Sequence, residues 1–125
     1  MREKRIRNSP LIIYMKVDSY LGIYKSVLRS LGSPKDINFW WSESEGAFLI
    51  SADNQPCDGR FAVPNSVYES NSGYTTHSKG LLNAMKDFTG WESGSKIKIS
   101  GKYDPAIDMV VFKRADAVKE VVVNA

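Results

Sequence analysis

Two chemistries are nearly missing from this sequence. Its 125 residues hold one cysteine and one histidine. Cys57 has no second cysteine, so an internal disulfide is excluded, and with only His77 to join it no Cys/His zinc set can be built. No metal and no cofactor are expected. Long apolar runs are missing too. The most hydrophobic early stretch, Leu11–Tyr14, is interrupted at once by Lys16 and Asp18. That is too short for a signal-peptide core or a membrane span, so the expectation is a cytoplasmic protein with no membrane partner. A charge imbalance is also absent from the body of the chain. The net charge of +3 arises entirely from Arg2, Lys4, Arg5 and Arg7 set against Glu3, and the remainder carries equal numbers of acids and bases. The basic excess is an N-terminal segment, able to touch phosphates or merely to solubilise.

What is present is a repeated design. Gly22–Gly32 reads as a short helix with a glycine at each end, its residues Tyr24, Val27, Leu28 and Leu31 on one face. Gly80–Gly90 repeats the construction, with glycines again ten positions apart and a helix over 79–89. Around the first helix, Leu11–Val17, Asp36–Ser42 and Ala47–Ser51 read as strands, the last two joined by a turn at Ser44-Glu45-Gly46. Around the second, Gly59–Pro64, Ser95–Ser100 and Met109–Phe112 do the same. The polar stretch 52–58 is the seam. The pattern predicts one domain over 1–125: a basic tail (1–10), a strand-helix-strand-strand unit (11–52), a second such unit (59–113) and a C-terminal tail (114–125). In that tail Asp116–Glu120 suits a helical turn, whereas Val121–Val123 suits extended chain. Each unit is too small to bury a core alone, so the two are expected to interleave. The fold expected is mainly β (α+β): a partly closed barrel with two capping helices and a pseudo-twofold axis.

The helix Lys25-Ser-Val-Leu-Arg29-Ser-Leu31-Gly32 resembles the Pro-x-x-[Leu/Ile]-x-Arg-x-Leu-Gly helix of AbrB/MazE/SpoVT-type swapped-hairpin transcription factors, with Tyr24 at the proline position. Gly59-Arg60-Phe-Ala-Val63-Pro64 is similar to that family's Gly-Arg-x-x-[Val/Ile]-Pro entry, and Gly90-Trp-Glu-Ser-Gly94-Ser95-Lys-Ile97-Lys-Ile99 to its Gly-x-x-x-Gly-Asp-x-[Val/Ile]-x-[Val/Ile] exit. The likeness spans about 11–52 and 59–113, and the layout is similar to short bacterial proteins carrying two such units. It implies a swapped-hairpin, cradle-loop-like β-barrel built from two pseudo-symmetric units fused in one chain, as a monomer or homodimer. It also implies a non-enzymatic DNA-binding regulator. The sequence departs from the family in the second unit. There a polar segment, Asn65–Ser78, separates the entry strand from the helix, and Asp87 and Thr89 stand where the first helix has Arg29 and Leu31.

The residues implied for double-stranded DNA are Lys25, Arg29 and Arg60, helped by Arg5 and Arg7 of the tail. The bland alternative for each is solvated surface charge. A second function class, binding of a protein or small ligand, would use the 65–78 segment. Its Tyr68 and Tyr74 among small polar residues have the composition of an adaptable recognition loop. His77 in the same segment has no assignable acid or nucleophile partner, so no catalytic residue is expected. Trp40 and Trp41 face opposite sides of their strand. Trp41 shares the face of Ile37 and Phe39 and is expected in the core, leaving Trp40 for a base, a sugar or a partner. Asp104 and Asp108 flank Pro105 and read as turn residues.

Overall fold

The computed structural model describes residues 10–52, 61–69 and 73–119. Their strands form one eight-stranded sheet in which every pairing is antiparallel. In chain order the elements are β1 (Ile12–Lys16), β2 (Tyr20–Ile23), α1 (Lys25–Ser30), β3 (Asp36–Ser42), β4 (Ala47–Ala52), β5 (Phe61–Ala62), α2 (Asn65–Glu69), β6 (Tyr74–Thr76), α3 (Lys79–Thr89), β7 (Lys96–Asp104) and β8 (Met109–Lys119). The order across the sheet is β5-β3-β4-β8-β7-β1-β2-β6. Hairpins from the N-terminal half, β3-β4 and β1-β2, therefore flank the hairpin β7-β8 of the C-terminal half. The two halves interleave as expected, and neither has a sheet of its own.

Local sequence explains where the helices stop. The αL glycine expected after α1 is Gly32, at φ 87°. Its N–H donates to Arg29 O at 3.0 Å, and that of Ser33 reaches back to Leu28 O at 2.9 Å. α3 opens on Ser78, whose Oγ accepts from the Leu81 N–H at 3.4 Å. It closes on Gly90, at φ 75°, whose N–H bonds Lys86 O at 2.7 Å.

The sheet curls into a half-barrel, and the connections show why it must. β5 and β6 lie at opposite edges, yet the chain passes from one to the other through α2. β2 and β3, each next to an edge, are likewise joined through α1. Two connections, each holding one short helix, thus link the two sides of the sheet, which only a curled sheet lets segments so short do. They are tied together where the Lys25 ammonium donates to Tyr68 O at 2.8 Å, and the Tyr68 hydroxyl donates to Pro34 O. The inner face is closely filled. Phe112, Ile13, Leu21, Ile50 and Ile97 from the sheet, and Val27, Leu28, Leu82 and Met85 from α1 and α3, are all 2% exposed or less. Each such aliphatic or aromatic side chain contributes about 1.5–3 kcal/mol of burial. At the middle of β8 the register to β7 slips between Ile99 and Gly101. Ile99 faces Ala117 but Gly101 faces Phe112, so residues 113–116 form a bulge that bends the strand.

Three expectations are corrected. Gly22 does not start a helix: Tyr20–Ile23 is a strand, and α1 begins only at Lys25. The segment 65–78 is not a plain loop but carries α2 and β6. β8 runs on through Lys119, so residues 116–119 are extended rather than helical. The first half therefore has an extra strand and the second an extra helix and strand relative to the simple units read from the sequence. Residues 120–125 lie outside the described residues.

Candidate functional site

Lys25 and Arg29 occupy the two ends of one turn of α1 and line a common cleft of about 380 Å³ with Pro10, Tyr14, Tyr24, Ser26 and Gly73. The buried side of α1, Val27 and Leu28, holds the helix against the core and turns Arg29 outward, where it is exposed. Lys25 is half-buried because its ammonium also secures α2. Pro10, the first described residue, is fixed at the cleft mouth by the Ser26 hydroxyl, which donates to its carbonyl at 2.5 Å. The chain bearing Arg5 and Arg7 joins the described structure at that point. Arg5, Arg7 and Arg60 themselves lie outside the described residues.

The cleft opens onto the sheet face that points away from the core. Ile13, Met15, Val17, Leu21, Ile23, Ile97 and Ile99 point inward, so their neighbours in β1, β2 and β7 point outward. Register then places these outward residues side by side. Tyr14 stands between Gly22 and Lys98, and Lys16 between Tyr20 and Lys96. Tyr24, whose N–H bonds Ile12 O at 3.0 Å, continues the β2 line toward the cleft. The three tyrosines form one cluster. Tyr14 meets Tyr20 at 6.3 Å and Tyr24 at 5.9 Å between ring centroids, both edge-to-face. The Tyr14 ring covers Gly22, whose missing side chain makes room for it.

The other candidates are placed apart from this cleft. Tyr68 is a strut whose hydroxyl is held by Pro34 O, and burial pushes its phenol above the ordinary value. Tyr74 is half-buried opposite Ile23, its phenol also raised by burial and partly countered by a hydrogen bond with Thr76. His77 is exposed in the link before α3. Trp40 is 48% exposed on the outer face of β3, its Nε1 donating to Ser51 Oγ at 2.8 Å. Trp41 packs inward against Phe48 and Phe88, at 4.9 and 5.2 Å. Asp104, the last residue of β7, and Asp108 bracket the β7–β8 turn. Asp104 accepts the Ala106 N–H at 3.0 Å, while Asp108, at φ 54°, accepts the Tyr103 hydroxyl at 2.6 Å. A wider hollow of about 590 Å³, lined by Leu49, Tyr103, Ile107 and Val111 among others, adjoins that turn.

Among the described residues no group of three or more His, Cys, Asp and Glu could hold a metal ion, and no helix is long and apolar enough to cross a membrane. The sequence motif points to Lys25 and Arg29 but not to Tyr14, Tyr20, Lys16, Lys96 or Lys98. The usable signal is alternation: Tyr14-Lys16 and Lys96-Lys98 are the polar or amphipathic neighbours of buried aliphatics. No protein-family model matches this chain, and no curated protein or solved structure matches it either.

Proposed function

We propose that this is a non-enzymatic, cytoplasmic DNA-binding protein of the regulator kind that its sequence resembles, engaging DNA at the cleft around Lys25 and Arg29. One observation carries the reading. The two cations that the sequence motif singles out line a single cleft, and the basic N-terminal segment joins the chain at that cleft's mouth. A pair of helix cations lining one cleft suits phosphate contact, which positions a protein on DNA without reading sequence. The finer architectural reading, a swapped-hairpin barrel of two pseudo-symmetric units, is part of the same proposal. The interleaved strand order supports it.

The test is retention of labelled DNA across a salt series. Binding should weaken steeply with salt. Arg29→Ala, and Lys25→Gln (which keeps a donor for the Tyr68 carbonyl), should each flatten the log–log salt slope by about 1. DNA affinity that is absent at low salt, or indifferent to both substitutions, overturns the reading. The first result would favour a protein- or ligand-binding role without DNA, using the 65–78 segment with its half-buried Tyr74 and exposed His77, together with the exposed Trp40 of β3.

A further inference from the structure

We propose that the outward face of β1, β2 and β7 is a platform for single-stranded DNA, on which bases stack against the Tyr14–Tyr20–Tyr24 cluster while Lys16, Lys96 and Lys98 neutralise the phosphates. The inference rests on the DNA-binding reading above and narrows it to the strand state of the DNA.

The argument starts from what a β-sheet does with its solvent side. One face buries aliphatics, and the other normally carries mixed polar residues of both charge signs. Where the three strands lie side by side, over 12–16, 20–23 and 96–100, the outward positions are Ile12, Tyr14, Lys16, Tyr20, Gly22, Lys96, Lys98 and Ser100, cations without a carboxylate; the outward carboxylate of β7, Asp104, lies beyond that stretch at the β7–β8 turn, where it accepts the Ala106 N–H. The surrounding acids are engaged or peripheral. Asp18, in the β1–β2 turn, is ion-paired with Lys86 at 3.1 Å. Asp116 lies in the β8 bulge at the border of the face. In a chain whose body is formally neutral, this face has a local cationic excess that complements a polyanion.

The tyrosines make the anion a nucleic acid strand rather than a simple phosphate. Stacking on aromatic side chains holds single-stranded bases with little regard for sequence, and the planar rings must lie along a cationic track. Register supplies that arrangement. Tyr14 is paired with Lys98 and Tyr20 with Lys16, so aromatic and cationic groups alternate across neighbouring strands instead of segregating. Lys16 is in turn paired with Lys96. Like charges set directly opposite cost stability in a sheet, and a bound phosphate track offsets that cost. From β6 to β8 the row Thr75, Gly22, Tyr14, Lys98 and Val118 spans about 20 Å, at about 4.8 Å between strands, enough for a few nucleotides. The platform also runs without a break into the cleft of Lys25 and Arg29, because Tyr14 and Tyr24 belong to both. A duplex keeps its bases stacked on one another and unavailable to the rings, so the surface discriminates for unpaired DNA.

The experiment measures fluorescence anisotropy of the full chain with labelled oligo(dT), with duplex DNA of the same length, and with oligo(rU). The expected result is preference for oligo(dT) over the duplex. Tyr20→Leu should lose about tenfold in affinity for oligo(dT) while leaving duplex affinity unchanged. Lys98→Gln and Lys96→Gln, both at exposed positions that leave the core intact, should each lower the salt slope for oligo(dT) by about 0.7. Tyr14→Leu also uncovers Gly22, so Tyr20→Leu and the lysine variants carry the decision if Tyr14→Leu unfolds. Tight, salt-sensitive duplex binding that depends on Arg29 but not on Tyr20, Lys96 or Lys98 overturns the platform and leaves the DNA-binding reading standing. Binding to none of the three probes overturns both. Preference for oligo(rU) overturns the assignment to DNA.

Discussion

The Tyr14 ring fills the space in which a side chain at Gly22 would stand: a Cβ placed there would lie 2.1 Å from Tyr14 Cζ. The two residues are direct cross-strand partners, so the ring covers backbone that a glycine leaves bare. The same steric reasoning applies with a different result at Gly73, where a Cβ would lie 2.2 Å from the carbonyl oxygen of Ile23. Tyr14 meets Gly22 with the far end of a flexible side chain, whereas Ile23 meets Gly73 with fixed backbone. Gly22→Ala is therefore expected to cost about 1 kcal/mol, and Gly73→Ala about 2–3 kcal/mol, since overpacking against backbone forces a shift of β2 or β6. Urea unfolding of the two variants checks the order. Equal costs would mean that Tyr14 is held as rigidly as the main chain.

These contacts also mark the limit of what the sequence alone discloses. β3 reads as Asp36–Ser42 from alternation and is found there, and α3 reads as about Lys79–Thr89 from its glycine-framed repeat and is found there, with Ser78 as the cap that the structure adds. Long periodic segments with clear ends carry their own structure. β2 has four residues, one of them glycine, and its pairing with β1 and β6 decides it rather than any local preference. α2 has a buried Val67 and a tethered Tyr68 but no periodic stripe, so tertiary contacts fix it. The candidate site divides in the same way. Lys25 and Arg29 share one helix turn and are visible as a pair in the sequence. The pairing of Tyr14 with Lys98 joins segments from opposite halves of the chain and exists only once the register of β1 on β7 is known.

Tyr68 joins α2 to the loop after α1 through its hydroxyl on Pro34 O, while Lys25 takes its main-chain carbonyl. Tyr68→Phe removes only the first of these bonds and leaves the ring in place. A loss of about 1 kcal/mol is expected, the usual net worth of one hydrogen bond. DNA affinity through Lys25 should be retained, because the Lys25 bond is to backbone. Chemical denaturation paired with DNA retention tests both halves of that statement. A variant of full stability that fails to bind DNA would make Tyr68 a contact residue instead of a strut.

Phe112 is wholly buried in β8, with its ring 6.0 Å from that of Phe48 and lying over Gly101. It fills the middle of the curled sheet beside the bulge. Phe112→Ala should cost about 3–5 kcal/mol, the sum of lost transfer energy and the cavity that remains. Phe112→Leu, which keeps most of the volume, should cost much less. Thermal unfolding of both variants would show whether the core beside the bulge can collapse. A small loss for Phe112→Ala would mean that it does.

Asp18 joins two turns and the end of a helix at one point. It accepts hydrogen bonds from the Ser93 hydroxyl and from the Lys86 ammonium, which lies 3.1 Å away and itself donates to Ser93 Oγ at 2.8 Å. The β1–β2 turn is thereby fastened to the end of α3 and to the turn before β7. The Ser93 hydrogen bond first, and Lys86 after it, hold the carboxyl below its ordinary 3.8. A folded-state value lower than the unfolded one means that the unfolded chain binds the proton more readily. The contribution to stability is therefore present above the unfolded value and is lost as pH falls through the folded one. Asp18 also adopts φ 73°, which asparagine tolerates as well as aspartate, so Asp18→Asn changes the charge without adding backbone strain. Wild type should melt higher than Asp18→Asn at neutral pH, and the gap should close once the pH is taken well below 3.8. Raising the salt at neutral pH should narrow it as well, because the pair is partly exposed. A melting difference that stays constant from neutral to acid would assign the tie to the shape of the turn instead of to the carboxylate charge.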